Sequence, residues 1–285
     1  MLIYPGLGKC IRSISNELKT IICYPLVTAM ISTPLQGEFV EEYEQDKLYG
    51  SRDARVVSFD FGGTLADLDK ERHVVYFETF NELGLTVDVE LLKEKLVEAH
   101  NWWLDERKRT GMIWTEETRL MFIEKLFRLL NIDRDDLRDL ALEFSKVLRY
   151  NFTFYVYDDV EPVLNTLRDK GYLLIVVSNV SSLETLTVYL TQAGLNEYFT
   201  LLVASGTIGF EKPHPEIYLY ASRTLQIPPS RFVHIGNDYE KDYVGALNAG
   251  MYALLLDREN QYSLPQCKKI SDLRESIRFI DEFLG

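Results

Sequence analysis

Val56-Val57-Ser58-Phe59-Asp60-Phe61-Gly62-Gly63-Thr64-Leu65 is the stretch from which the fold of this 285-residue chain can be read. Four mostly apolar residues end on a carboxylate, and two glycines follow. A short apolar run stopped by a polar residue and a turn is the pattern of a strand buried on both faces of a parallel sheet. The glycine pair lets the backbone turn its N–H groups inward around an anion. Asp60 therefore stands where a strand of an open α/β sheet delivers side chains to a ligand.

Working outward, four further runs of the same kind follow at Leu173–Val177, Leu201–Ala204, Phe232–Ile235 and Tyr252–Leu256, separated by segments of helical spacing. This alternation predicts an α/β fold with a Rossmann-like parallel sheet. More than one hundred residues separate the first run from the second, far too many for one crossover helix. Within that gap Leu92, Leu96, Ala99 and Trp103 recur at helical spacing, as do Leu120, Ile123, Phe127 and Leu130, and Gly84 and Gly111 punctuate the pattern. The expectation is an inserted α-helical cap subdomain over residues 71–155, with the core formed by 55–70 and 156–285. Asp88 and Asp133 are expected N-caps, and Ser181 with Glu184 is expected to form a capping box.

Residues 1–54 read as a partly flexible extension, because Glu38 to Arg55 is charge-rich and lacks an apolar period. The apolar run Ile21 to Ile31 is well short of the ~20 residues a membrane helix needs, and Pro25 interrupts it. Lys9, Arg12 and Lys19 precede it in the manner of a leader, but Glu17 and the long lead-in oppose that reading; Met30 stands as an alternative start. With 44 acidic against 31 basic residues, the formal charge of −13 argues against nucleic acid and anionic membranes as partners. Cys10, Cys23 and Cys267 are too few and too scattered for a disulfide framework or a zinc knuckle, so a reducing, cytoplasmic setting is expected.

The polar residues at strand ends carry the chemistry. Asp60 follows the first run, Ser178-Asn179 the second, and Gly236-Asn237-Asp238 the fourth, with Asp242 four residues on; Lys212-Pro213-His214-Pro215 precedes the fourth run. Together they supply a nucleophilic carboxylate, a hydroxyl, an ammonium and an acidic corner, the parts needed to move a phosphoryl group with Mg²⁺. His73 and His234 read as solvated or packed side chains. The tryptophans and the many other aromatic residues read as packing.

Taken in order, DFGGTL, VVSN, EKPHPEIY and HIGNDYEKDYVGA resemble the four motifs of the haloacid dehalogenase superfamily, most of whose members are phosphatases, across roughly residues 55–260. The resemblance implies that Asp60 attacks phosphorus to form an aspartyl-phosphate, Ser178 and Asn179 bind substrate, and Lys212 neutralises charge. It implies that Mg²⁺ sits on Asp60, the Gly62 carbonyl and a fourth-motif acid, Asp238 or Asp242, and that a small phosphorylated substrate is closed in by the cap. Asp242 has a second reading, as the group that orients Lys212.

Two positions depart from the family pattern. Gly62 stands where its phosphatases carry the aspartate that acts as general acid and base, and Asn237 stands where the fourth motif usually has its first aspartate. His100 and Glu98, near Trp102, are candidates for a replacement acid. The departures keep three alternatives open. One is a catalytically weakened binding or regulatory protein. A second is haloacid dehalogenase chemistry without metal. The third is phosphonate hydrolysis through an imine on Lys93, Lys95 or Lys108.

Overall fold

The computed structural model describes residues 54–285, and the expectations for Ile21–Ile31, Cys10, Cys23, Met30 and the rest of the extension lie outside the described residues. From β1 (Val56–Phe59) the chain forms a short strand β2 (Ala66–Leu68), then helices α1 (Arg72–Glu82), α2 (Val89–Thr110), α3 (Glu116–Leu129) and α4 (Leu137–Asn151), and a return strand β3 (Phe154–Val156). It continues through α5 (Val160–Asp169), β4 (Leu173–Ser178), α6 (Leu183–Gln192), β5 (Leu201–Ala204), α7 (Ser205–Ile208) and α8 (Glu216–Leu225). The remainder is β6 (Phe232–Gly236), α9 (Gly245–Asn248), β7 (Tyr252–Leu256), β8 (Lys269–Ile270) and α10 (Ser276–Leu284).

Six strands form one parallel sheet in the order β5-β4-β1-β6-β7-β8. The chain leaves β1 in one direction for β4 and β5 and in the other for β6 to β8. The strand order therefore reverses beside β1, which is where such sheets open a crevice beyond their carboxyl ends. Because both faces are covered, alternate residues of one strand serve two cores. Val57 and Phe59 pack with α5, α6 and α10 through Leu164, Leu186 and Ile280. Val56, Ile175 and Val177 pack on the opposite face with Ile217, Tyr218 and Ala246 from α8 and α9. This two-sided burial explains why the strands read as continuous apolar runs rather than alternating ones.

The helices α1 to α4 build a third core around Phe80, Phe127 and Phe144, with the Phe80 and Phe144 rings 4.6 Å apart between centroids. Of the periodic positions, Leu92, Ala99 and Trp103 of α2 and Leu120, Ile123 and Phe127 of α3 are buried, while Leu96 and Leu130 pack against the same core only partly buried, Leu130 one residue past the end of α3. Gly111 ends α2 in the left-handed region at φ 73°, a conformation that favours glycine. Asp88 caps α2 by accepting from the Leu91 N–H at 2.8 Å.

Two local expectations are corrected. Asp133 does not cap α4; Asp136 occupies the N-cap position and makes no side-chain cap bond, because Arg134 binds its carboxylate at 2.8 Å. The cap of α6 is Ser182, which accepts from the Thr185 N–H, while Ser181 donates its hydroxyl to Glu116 of α3 at 2.6 Å. The Glu184 carboxylate pairs with Arg149 of α4 instead of closing a box. The antiparallel pair of β2 and β3, register Ala66 to Val156, was not anticipated, nor was the two-residue β8. Strands of two or three residues are too short to show a period.

Candidate active site

The carboxyl ends of β1, β4 and β6 lie side by side, and this adjacency brings residues 60, 178 and 236 together from distant parts of the chain. Phe59 pairs with Val176 on one side and Ile235 on the other, and the Asp60 N–H donates to the Ile235 carbonyl at 2.9 Å. Ser178 donates its hydroxyl to Asp60 Oδ1 at 3.1 Å. Lys212, from the loop between α7 and α8, places Nζ 2.7 Å from Asp60 Oδ1 and 2.6 Å from Asp242 Oδ1. Asn179 fixes that lysine by clamping its backbone, accepting from the Lys212 N–H at 2.8 Å and donating to the Lys212 carbonyl at 3.0 Å. Its amide therefore braces Lys212. The preceding Glu211 is buried as well; it accepts from the Trp114 N–H at 2.7 Å and pairs with Arg107, tying the lysine loop to the helical insertion.

Asp242 lies in a π-helical turn, Tyr239–Val244, that links β6 to α9. Such turns are rare and concentrate at functional positions, because the extra residue re-aims a side chain. Here the carboxylate folds back beneath β6, accepts from the Asp238 N–H at 2.9 Å, and lies so close to Gly236 that a Cβ there would overlap it. Gly63, at φ 74°, meets the same corner from the other side, where a Cβ would collide with the Asn237 amide. The two glycines thus let the loops after β1 and β6 converge.

Three charged groups sit here almost out of water: Lys212 is 2% exposed, Asp242 1% and Asp60 14%. Burial alone would lower the Lys212 pKa, but Asp242 and Asp60 outweigh it and the ammonium is held above its ordinary range. Burial would raise the Asp242 carboxyl, but Lys212 and a hydrogen bond from His234 overcome this and hold it well below the ordinary carboxylate range. For Asp60 burial wins: Lys212 pulls its pKa down, the Asp242 charge pushes it up again, and the net direction is upward. One ammonium shared by two carboxylates therefore leaves Asp242 a firm anion and makes Asp60 the more basic of the two, which favours it as a nucleophile.

Behind Asp242 lies His234, fully buried. Ser58 Oγ is 2.7 Å from its Nδ1, and Asp242 Oδ1 is 3.4 Å from its Nε2. Burial holds its pKa down, so the ring is neutral; Ser58 donates to Nδ1, and Nε2–H donates to Asp242. Ser58 and His234 are register partners in β1 and β6. The signal for them was a polar residue in the middle of each of two otherwise apolar strands.

Asp242→Asn should lower stability at pH 7 by about 3 kcal/mol, the low end of the ~3–5 kcal/mol cost of breaking a buried ion pair, because Asp60 still faces Lys212. Urea denaturation measures it. The Asp242 pKa is depressed on folding, so its contribution is present above the unfolded value of 3.8 and is lost as pH falls below it. The denaturation midpoints of wild type and variant should therefore converge as the pH is lowered through that range.

The expected metal residues do not assemble as a set. Asp242 is taken up by Lys212, His234 and the Asp238 N–H. The Asp238 carboxylate turns away to the Lys241 N–H at 2.9 Å and the Lys241 ammonium at 2.5 Å. Position 237 offers a neutral amide, whose oxygen accepts from Thr64 Oγ1 at 3.4 Å. Among the described residues no group of three or more His, Cys, Asp or Glu converges as a metal cage. Mg²⁺ demands near-octahedral oxygen ligation and relies on carboxylates for its protein contacts. Of the expected set only Asp60, itself shared with Lys212, keeps a carboxylate available, so these residues, as the structure places them, do not by themselves fit a Mg²⁺ site.

Beside Asp60 opens a cavity of about 160 Å³ whose walls include Gly62, Ser178 and Asn179 together with Asp67, Arg72 and Tyr189. Burial pushes the Tyr189 hydroxyl up to about 12, so it stays protonated. Arg72 and Asp67 were not anticipated; they follow the first motif on β2 and at the start of α1, where no motif marks them. His100 and Glu98 do not reach this cavity. Both are exposed on α2, and Glu98 pairs with Lys95 at 2.9 Å. His214 packs against the Phe210 ring outside it, at 4.8 Å between centroids.

A family model for haloacid dehalogenase-like hydrolases matches residues 54–250, and the chain belongs to that family. Among its relatives is haloacid dehalogenase-like hydrolase domain-containing protein 3 of Bos taurus, 28% identical over 194 residues that make up 66% of this chain and 70% of that protein. Another is the glyceraldehyde 3-phosphate phosphatase of Methanothermobacter thermautotrophicus, 32% identical over 125 residues; the match takes in 43% of this chain and 55% of that enzyme's length. The fold is similar to that of a 2-haloacid dehalogenase from Pseudomonas syringae, with a TM-score of 0.63, 22% identity, and coverage of 80% of this chain and 99% of that one. Among the described residues no helix is long and apolar enough to cross a membrane.

Proposed function

We propose that this chain is a phosphatase acting on a small phosphorylated metabolite. The observation that carries the reading is the arrangement of Asp60, Ser178 and Lys212 at one sheet edge, with Lys212 held between Asp60 and Asp242, beside a small cavity. The phosphatase named among its relatives supports phosphorus over carbon as the centre attacked. The Asp60 carboxylate attacks phosphorus in line and the ester oxygen leaves with its electron pair, giving an aspartyl-phosphate. Ser178 and Lys212 donate to the phosphoryl oxygens as charge redistributes. Water then cleaves the phosphorus–oxygen bond to Asp60, releasing phosphate and restoring the carboxylate. The helices α1 to α4 act as the cap, closing over the cavity and excluding bulk water. Among the described residues Lys212 is the cation in contact with Asp60, where the phosphoryl group is transferred.

No side chain stands at Gly62 to protonate the departing oxygen, so the leaving group must carry its own charge away. Phosphate release measured over a series from 4-nitrophenyl phosphate through phenyl phosphate to alkyl phosphates should therefore fall steeply as the leaving group becomes more basic. A missing general acid is worth ~10²–10⁴ in rate for the poor leaving groups. A flat series, or no release from any member, overturns the reading. The second reading, a weakened member that binds without turning over, rests on Gly62 and Asn237 together, and no release from any member is its expected result. Phosphonate hydrolysis finds no support: Lys93, Lys95 and Lys108 line no part of the cavity, and Lys95 is paired with Glu94 and Glu98.

A further inference from the structure

Asp67 and Arg72 are the two formally charged side chains on the walls of the cavity, and phosphoryl transfer as described uses neither. Arg72 opens α1; like Asp67 it is exposed, and its guanidinium makes no hydrogen bond or ion pair among the described residues, so its N–H donors are open to water or to a ligand. Asp67 accepts from the Leu68 N–H at 2.8 Å with one oxygen and from the Tyr157 hydroxyl at 3.5 Å with the other, so lone pairs remain on both. Between them the wall is aromatic: Phe154 packs at 5.0 Å from Phe61 and at 4.8 Å from Tyr189, centroid to centroid.

At about 160 Å³ the cavity is small for a ligand pocket. A small ligand seated there is held best if it offers acceptors to Arg72 and a donor to Asp67. A guanidinium meets a carboxylate in a two-bond fork, which neither a hydroxyl nor an ether reproduces. Ser178, which reaches Asp60, lines the same cavity, so such a ligand would present its phosphoryl group at that end.

We propose that the substrate is a short phosphorylated hydroxy acid or amino acid, whose carboxylate is bound by Arg72 and whose hydroxyl or ammonium group donates to Asp67. This rests on the reading of Asp60 as the phosphoryl acceptor. Arg72 is then the residue that separates phosphorylated acids from phosphorylated alcohols, and Asp67 the one that separates substituted acids from bare ones.

The test compares the full chain with Arg72→Gln, Arg72→Lys and Asp67→Asn on 3-phosphoglycerate, O-phosphoserine, phosphoglycolate and glycerol 3-phosphate. Wild type should show a higher kcat/KM for 3-phosphoglycerate or O-phosphoserine than for glycerol 3-phosphate. Arg72→Gln should reduce that ratio about 10- to 100-fold, the worth of a charge-assisted fork, and Arg72→Lys should fall between. Asp67→Asn should reduce the preference over phosphoglycolate, and the favoured member of the pair tells a hydroxyl from an ammonium. A ratio near one in wild type, or one that Arg72→Gln does not move, overturns the proposal. If none of the four is turned over, calorimetric binding decides; the phosphatase reading itself fails separately, and only where 4-nitrophenyl phosphate is not hydrolysed either. Binding of 3-phosphoglycerate or O-phosphoserine that Arg72→Gln weakens by the same factor supports the assignment, and binding no tighter than that of inorganic phosphate overturns it.

Discussion

Asp60→Asn should reduce phosphate release by ~10⁴–10⁶-fold, the scale seen when a catalytic nucleophile is removed and only binding and charge stabilisation remain. The substitution keeps shape and keeps an oxygen that accepts from Ser178 and Lys212, so the loss reports chemistry and not collapse of the site. Stability makes a second, independent readout. The Asp60 pKa is raised on folding, first by burial and further by the Asp242 charge, so its ionised form costs stability at neutral pH. Asp60→Asn should therefore unfold at a urea concentration no lower than wild type, in contrast to the loss expected for Asp242→Asn. Two carboxylates on the same ammonium then differ in kind, one holding the site together and the other held in readiness. Residual phosphate release within tenfold of wild type would show that some other group attacks phosphorus.

Gly62→Asp should raise turnover of alkyl phosphates by ~10²–10⁴, the usual worth of a general acid, while changing 4-nitrophenyl phosphate far less. The position admits the side chain. A Cβ built on Gly62 meets no heavy atom within 4 Å, and the residue is not among those with positive φ. Gly62 also lines the cavity, so a carboxyl there has access to the departing oxygen. The steep dependence on leaving-group basicity expected of wild type should flatten in the variant. A folded Gly62→Asp protein with no gain on any substrate would remove the missing acid as the explanation for weak activity and would favour a binding role.

The long buried elements were legible from composition and spacing. Each of the five main strands is an apolar run ended by a polar or turn residue, and the α2 and α3 faces announce themselves by leucines and aromatics at helical intervals. What escaped notice was short or conditional. β2, β3 and β8 have two or three residues each, and pairing with another strand, not local preference, makes them strands. Caps slipped by one to three residues, at Asp136 for Asp133 and at Ser182 for Ser181, because several polar residues compete at each helix start and tertiary partners decide among them. Glu116 takes the Ser181 hydroxyl, and Arg134 takes the Asp136 carboxylate.

The candidate site divides in the same way. Asp60, Ser178, Lys212 and Asp242 stand out because a charged or hydroxyl residue at the end of a buried strand, or on the loop leading to one, needs a reason to be there. Arg72, Asp67, Glu211 and the partnership of Ser58 with His234 do not, since each depends on a neighbour far away in the chain. By itself the order of residues determined a parallel α/β sheet with a long insertion and a row of reactive groups at one edge. Burial and turn chemistry are local enough to be written in single segments. Only the tertiary structure decided what those groups face: Asp242 and Asn179 turned inward to hold Lys212, Asp238 turned outward to Lys241, and Arg72 brought to the wall of the cavity. Direction and distance between side chains follow from how β1, β4, β6 and α1 are brought together, and no segment carries that information alone.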